Sequence, residues 1–320
     1  MSSPRRRPVD CPGFTLTELA VALLIVGLLL ASSMIPFSAQ MELRSTLETR
    51  RTLDQVKDAV TGFAQANGRL PCPARGQTPA GSIDTVTWAP AQIAAGAEQY
   101  DTTNKRCYTV LGVVPWSTLG VPEADAWGRR IAYRVSPAFA DDQSLTTWQS
   151  RATAYLPGTY LAQANTNPLS PADQTASNPA SNCDLTTAPS QSSFALCTLG
   201  DIAVLTRSDS DHSVITPLGK GLPAVFVSHG KNGYGAYQSN GTQLTASAGA
   251  DEAANSNGTT TATPSATWYL GYAYYSRNQT SSATGCSDTA GTLYCEFDDI
   301  VAWISPSTLI ARMVSAGRLP

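Results

Sequence analysis

Charge is scarce in this 320-residue chain: only 14% of residues are Asp, Glu, Lys or Arg, and the formal net charge is −3. That scarcity leaves no basic face broad enough to hold nucleic acid, so no nucleic-acid partner is expected. Histidine is scarcer still, with two residues, His212 and His229. No two cysteines stand at C-x-x-C spacing, and a zinc site therefore lacks both its thiolate pairs and its imidazoles. The Gly230-Lys231 step lacks the upstream glycine spacing of a phosphate-binding loop. Ser228 and His229 are adjacent, and neighbours on an extended chain point to opposite sides, so they form no nucleophile–base pair. A triad drawing on His212 with Asp209 or Asp211 is open, but nothing in the sequence selects it. An enzyme is not expected.

What is present begins with seven cysteines, Cys11, Cys72, Cys107, Cys183, Cys197, Cys286 and Cys295. Ser, Thr, Asn, Gln and Ala are abundant, as in exported surface proteins. An odd cysteine is awkward in such a chain. A cut between Cys11 and the apolar run that follows would leave six, enough for three bridges in an oxidising compartment. Sequence neighbours suggest Cys183 with Cys197 and Cys286 with Cys295, leaving Cys72 with Cys107, one of several connectivities that six cysteines allow.

Residues 19–37, LAVALLIVGLLLASSMIPF, carry no charge. As a helix they cover roughly 30 Å, the thickness of a bilayer core. Arg5, Arg6 and Arg7 precede the run, which fits a cytoplasmic N-terminus. A cleaved secretory signal, cut near Ala31-Ser32-Ser33, is the alternative. The run is long for such a signal, and Glu18 stands at its start. An acid there needs a partner or a role. Thr15-x-x-Glu18 also has the form of a helix capping box.

Gly13-Phe14-Thr15-Leu16-Thr17-Glu18-Leu19 followed by an apolar run resembles the signal of type IV pilins and type II secretion pseudopilins. The resemblance covers about the first tenth of the chain. It implies a basic leader, residues 1–13, removed by prepilin peptidase after Gly13, and N-methylation of Phe14. It implies that Glu18 pairs with the freed amine of a neighbouring subunit during assembly. It also implies a single-pass inner-membrane anchor, an inner-membrane assembly platform as partner, and a periplasmic or extracellular filament as destination. Pro36 removes one backbone bond from the helical run and should loosen or kink it.

Beyond Pro36, Leu53, Val56, Val60 and Phe63 recur at three- and four-residue steps while Arg50, Arg51, Asp54, Lys57 and Asp58 take the other faces. One long helix over 14–68 is expected, roughly 80 Å in length, stopped by Asn67-Gly68. A head over 69–320 follows. Residues 131–135, 202–205, 224–228, 268–276 and 293–304 read as strands. Polar stretches at about 136–200 and 239–266 read as loop insertions. A terminal helix starts near Pro306 and carries Leu309, Ile310, Met313 and Val314 on one face. The expected fold is α+β, the long helix packed on an antiparallel sheet of four to five strands.

Two further segments resemble major pseudopilins. Asp125-Ala126-Trp127-Gly128 leads into a tyrosine-containing strand, and Ser228, Gly230 and Gly233 match a glycine turn. Asp299-Ile300 and Trp303 loosely match the end segment near which that family holds calcium. Asp251, Glu252 and Asn255, in a polar loop, with Asp298 and Asp299 are the candidate oxygen ligands for calcium. Solvated loops and turn caps explain the same residues without an ion. The head is large for a major subunit, so a minor pilin or pseudopilin is the leading expectation. A filament-borne adhesin or surface-binding module is the alternative.

Overall fold

The computed structural model describes the chain except residues 1–14, 85–92, 103–105, 141–191, 195, 197, 199, 258, 261–271, 282–283, 292 and 320, and except the side chains of 29–39, 257, 259 and 260. Gly13, Phe14, Cys183 and Cys197 lie outside the described residues, as does the side chain of Pro36.

The chain divides into two units, Met1–Leu47 and Glu48–Pro320. Helix α1, Leu16–Asn67, contributes to both. In the first unit Leu19, Val21, Leu23, Leu24, Ile25, Val26 and Leu28 are exposed. Among the described residues no helix is long and apolar enough to cross a membrane. Much of the 19–37 run falls on side chains outside that description.

In the second unit, Leu53, Val56, Val60 and Ala64 are buried on one face of α1, as helical spacing requires. The helix stops where expected: Gly68 takes φ 74°, and its N–H donates to Ala64 O at 2.7 Å. A side chain at Gly68 would oppose that left-handed turn. The 48–67 stretch of α1 belongs to the second unit and contributes Leu53, Val56, Val60 and Ala64 to its core.

The central sheet has four antiparallel strands: β1 (Leu111–Val113), β2 (Ala132–Val135), β5 (Ala224–Ser228) and β7 (Ile300–Ile304), in the order β7-β5-β2-β1. Every residue of β5 is buried. Its alternation feeds two cores. Ala224 and Phe226 join the α1 residues, and the Phe226 ring stacks on Tyr133 of β2 at 5.1 Å. Val225 and Val227 point the other way, against Ile202, Val204, Tyr272 and Tyr274. A strand buried on both faces reads as a continuous apolar run, which Ala224-Val-Phe-Val227 is.

The second layer corrects the single-sheet expectation. β3 (Ile202–Arg207), β4 (Ile215–Leu222), β6 (Tyr272–Tyr275) and the pair Thr259–Thr260 form another four-stranded sheet. Within it β6 runs parallel to β3. Helix, sheet and sheet therefore stack as three layers. The 293–304 strand shrinks to β7, because Cys295 N is taken by Asp288 Oδ1 at 3.0 Å and Asp298 N by Glu252 Oε1 at 2.9 Å. The 136–200 insertion has core at both described ends: Pro137–Ala140 is a buried helical turn, and Phe139 packs on Phe194 at 4.8 Å. The expected loop around 250 is instead α2, Ala250–Asn257. The terminal helix α3, Pro306–Ser315, starts as expected, with the Ser305 side chain accepting from Thr308 N. Cys72–Cys107 and Cys286–Cys295 are disulfides.

Candidate functional site

Two segments that the sequence reading kept apart meet at the C-terminal end of β5. The Asp125 carboxylate accepts from Trp127 N at 2.9 Å and Arg129 N at 3.0 Å, which folds 125–129 into a tight loop. Its other oxygen accepts the Ser228 hydroxyl at 2.6 Å. Ser228 is therefore committed to Asp125 and not to His229, and no nucleophile–base dyad exists there. From the same loop, the Arg129 guanidinium donates to Gly230 O at 2.7 Å and Lys231 O at 2.8 Å. Gly230 has φ 54°, and a Cβ there would lie 2.4 Å from Asp298 O. Glycine is required where these two backbones touch.

That close approach places the turn beside three acids. Oxygens of Glu252, Asp298 and Asp299 lie within 4.8 Å of one another. Glu252 and Asp299 are buried. Glu252 Oε1 accepts from Asn232 Nδ2 at 3.0 Å and from Asp298 N. Asp298 Oδ2 accepts from Asn232 N at 2.7 Å. Asp299 Oδ2 accepts from Asn255 Nδ2 at 2.8 Å. Among the described residues, Glu252 Oε2, Asp298 Oδ1 and Asp299 Oδ1 are buried with no hydrogen-bond partner. His229 Nδ1 lies 3.4 Å from Asp299 Oδ1.

Burial, then the neighbouring Glu252 and Asp299 charges, pushes the Asp298 carboxyl up to about 7. Burial and the Asp299 charge likewise raise Glu252. Three acids with three unpartnered oxygens in one place are costly as free anions. A hard divalent cation matches the donor set, since calcium takes oxygen ligands and tolerates irregular geometry. The residues present fit calcium on these grounds.

Two of the five candidate residues, Asp251 and Asn255, commit their side chains to other partners. Asp251, one residue before Glu252 on α2, faces another way, and its carboxylate meets Arg207 Nε at 2.8 Å and Arg277 Nε at 3.0 Å. Asn255 spends its oxygen on Tyr275 N at 2.7 Å and its amide on Asp299, so it steadies the Asp299 carboxylate. Sequence reasoning missed Arg207 and Arg277. Their signal was weak: each is a lone cation at a strand end. The His212 ring stacks on Tyr294 at 3.6 Å, and its Nδ1 lies 2.7 Å from Ser287 O. Asp211 accepts from Ser213 instead. No triad is assembled at His212.

At the other end of the chain, the start of α1 carries a complete reciprocal cap. Glu18 N donates to Thr15 Oγ1 at 3.3 Å, and Thr15 N donates to Glu18 Oε2 at 2.9 Å. The Thr15 hydroxyl also reaches Glu18 Oε2 at 2.8 Å. Residues 10–34 match the prokaryotic N-terminal methylation motif. The chain carries the prepilin-type signature of type IV pilins and pseudopilins. No curated protein and no solved structure matches the chain. The prepilin-type signature implies a processed structural subunit that assembles with other pilin-like subunits after cleavage by prepilin peptidase. Thr15 and Glu18 both fall inside the matched segment, at the first turn of the helix.

Proposed function

We propose that this prepilin-type chain is a minor subunit of a type IV pilus or a type II secretion pseudopilus. Prepilin peptidase cuts between Gly13 and Phe14, Phe14 is N-methylated, and residues 19–37 anchor the subunit once in the inner membrane. The N-terminus faces the cytoplasm and the head the periplasm until the assembly platform draws the subunit into a filament. The methylation motif at residues 10–34 carries this reading. The arginine triplet ahead of the motif and the uncharged run behind it support the orientation. The large three-layered head supports a low-copy place, since bulky insertions hinder tight helical packing. In the filament Glu18 meets the Phe14 amine of a neighbour, exchanging its local cap for an ion pair.

Within the head, Glu252, Asp298 and Asp299 would hold a calcium ion. Bound there, it would neutralise the three carboxylates and tie α2 to the segment entering β7. The disulfides Cys72–Cys107 and Cys286–Cys295 stiffen the exported head, and a pairing of Cys183 with Cys197 would account for the two remaining thiols of the cleaved chain.

The deciding experiment is N-terminal mass analysis of the protein purified from producing cells. The expected mature start is N-methyl-Phe14, with Cys11 lost. A start after Ala31 or Ser33 would show an ordinary secretory signal and end the pilin reading.

A further inference from the structure

We propose that the Cys286–Cys295 disulfide makes the carboxylate cluster competent to hold a divalent cation, and that Asp288 is the positioning residue that transmits the disulfide's state. The inference rests on the cation reading of Glu252, Asp298 and Asp299 and adds its regulation.

The disulfide closes a short ring, with a sequence separation of 9. Inside the ring the buried Asp288 carboxylate has every bond assigned. Oδ1 accepts from Cys295 N at 3.0 Å and from Arg277 Nη2 at 2.9 Å. Oδ2 accepts from Asp251 N at 3.1 Å. That last bond leaves the ring and holds the first turn of α2. The seat is tight: a Cβ on Gly249, just before the helix, would lie 3.0 Å from Asp288 Oδ2 and 3.3 Å from Cys295 Cβ. Arg277 closes the circuit by pairing with both Asp288 and Asp251.

Glu252 is the next residue along this same turn, and its Oε2 is one of the unpartnered oxygens of the cluster. Helix α2 has 8 residues, too few to stand without tertiary support. The placement of Glu252 therefore depends on what pins the start of α2, and the ring supplies the backbone pin at Asp251 N beside the Arg207 and Arg277 pairs on the Asp251 side chain. Opening the disulfide returns conformational freedom to the ring and loosens Asp288. Loss of an outer partner that orients a metal ligand costs about 10–100-fold in affinity.

Closure is a two-electron oxidation. The Cys286 and Cys295 thiols lose two protons and two electrons, and one S–S bond forms. A disulfide-bearing oxidant takes up those electrons and protons as its own S–S bond breaks to two thiols. Such oxidants act in exporting compartments, whereas cytosolic thiols stay reduced. The cation site would then mature only after the head has left the cytoplasm.

Calcium titration by calorimetry, on the full chain in detergent, tests this. Oxidised wild type, Cys286→Ser/Cys295→Ser, Asp288→Asn with the disulfide intact, and Glu252→Gln are compared, with amide exchange of α2 as a second readout. The expectation is calcium binding by wild type, loss of it in Glu252→Gln, and about 10–100-fold weaker binding in both ring variants with faster exchange over 250–257. Should the double-serine protein fail to fold, Asp288→Asn carries the test. Wild-type affinity in Asp288→Asn or in a folded double-serine protein would overturn the coupling and leave the cation reading standing. No calcium binding by oxidised wild type would remove the cation reading itself.

Discussion

Replacing Asp251 by alanine should be among the most damaging single changes in the head. Asp251 is fully buried, and both of its oxygens are spent on arginines whose side chains are 6% and 5% exposed. Arg277 keeps a second carboxylate, Asp288 at 2.9 Å. Among the described residues, Arg207 keeps the carbonyl of His212 at 2.9 Å and the Tyr275 ring, 4.7 Å from its guanidinium, and no second carboxylate. The variant therefore leaves one buried cation uncompensated. Removing one partner of a buried pair costs about 3–5 kcal/mol, a fall in Tm of roughly 6–20 °C for a domain of this size. The exposed pair Lys57–Asp54, 3.5 Å apart, is the control: Asp54→Ala should cost no more than about 1 kcal/mol. A third variant separates charge pairing from shape. Arg207→Met/Asp251→Leu/Arg277→Met removes all three charges and should recover much of the loss, because burying the ions was costly to begin with. Thermal melting of the full chain in detergent, followed by near-ultraviolet circular dichroism, reads all three. Equal shifts for Asp251→Ala and Asp54→Ala would refute the reasoning.

Glu18→Ala should leave membrane insertion and leader cleavage intact while lowering the subunit's share in sheared filaments; equal filament yields would confine Glu18 to its cap with Thr15. Asp298 sets a pH dependence in the presence of a chelator. Its carboxyl stands at about 7 in the folded head against an ordinary 3.8, so between these values the folded state holds a proton that the unfolded chain lacks. Stability should therefore fall as pH rises from about 4 through about 7. Asp298→Asn should flatten that slope in a Tm series, and an unchanged slope would assign it to another group.

Local signals carried the parts of the fold that were legible in the sequence. The 53/56/60 stripe, the Asn67-Gly68 stop, the Ala224–Ser228 strand and the Ser305-Pro306 start each need only a few neighbouring residues to be understood. The second sheet needed more. Ile215–Leu222 contains Pro217, Gly219 and Gly221, which weaken any strand reading. It lies at the sheet edge, where proline is tolerated. The parallel pairing of β6 with β3 joins segments far apart in the chain, and periodicity is silent on partner and direction. Helix α2 was hidden by its polar residues. Asp251, Glu252 and Asn255 suggest a solvated loop until their partners are known, and Arg207 is 44 residues away from Asp251.

The five candidate ligands, Asp251, Glu252, Asn255, Asp298 and Asp299, could not be sorted by sequence, because their partners lie far away in the chain. Asp251 and Glu252 are adjacent on α2 and equally buried, yet helical geometry turns them to different faces. Asp251 meets two guanidinium groups, and its charge is balanced. Glu252 meets Asp298 and Asp299, and no cation of the described head is recorded in an ion pair with it. A buried carboxylate among carboxylates must gain a proton or a cation to persist. Burial raises the pKa of Asp251 as well, so elevation alone does not distinguish the two. The sign of the surrounding charge does: apart from the His229 ring, 3.4 Å from Asp299 Oδ1, no basic side chain among the described residues is paired with Glu252, Asp298 or Asp299, and their oxygens still call for a positive partner.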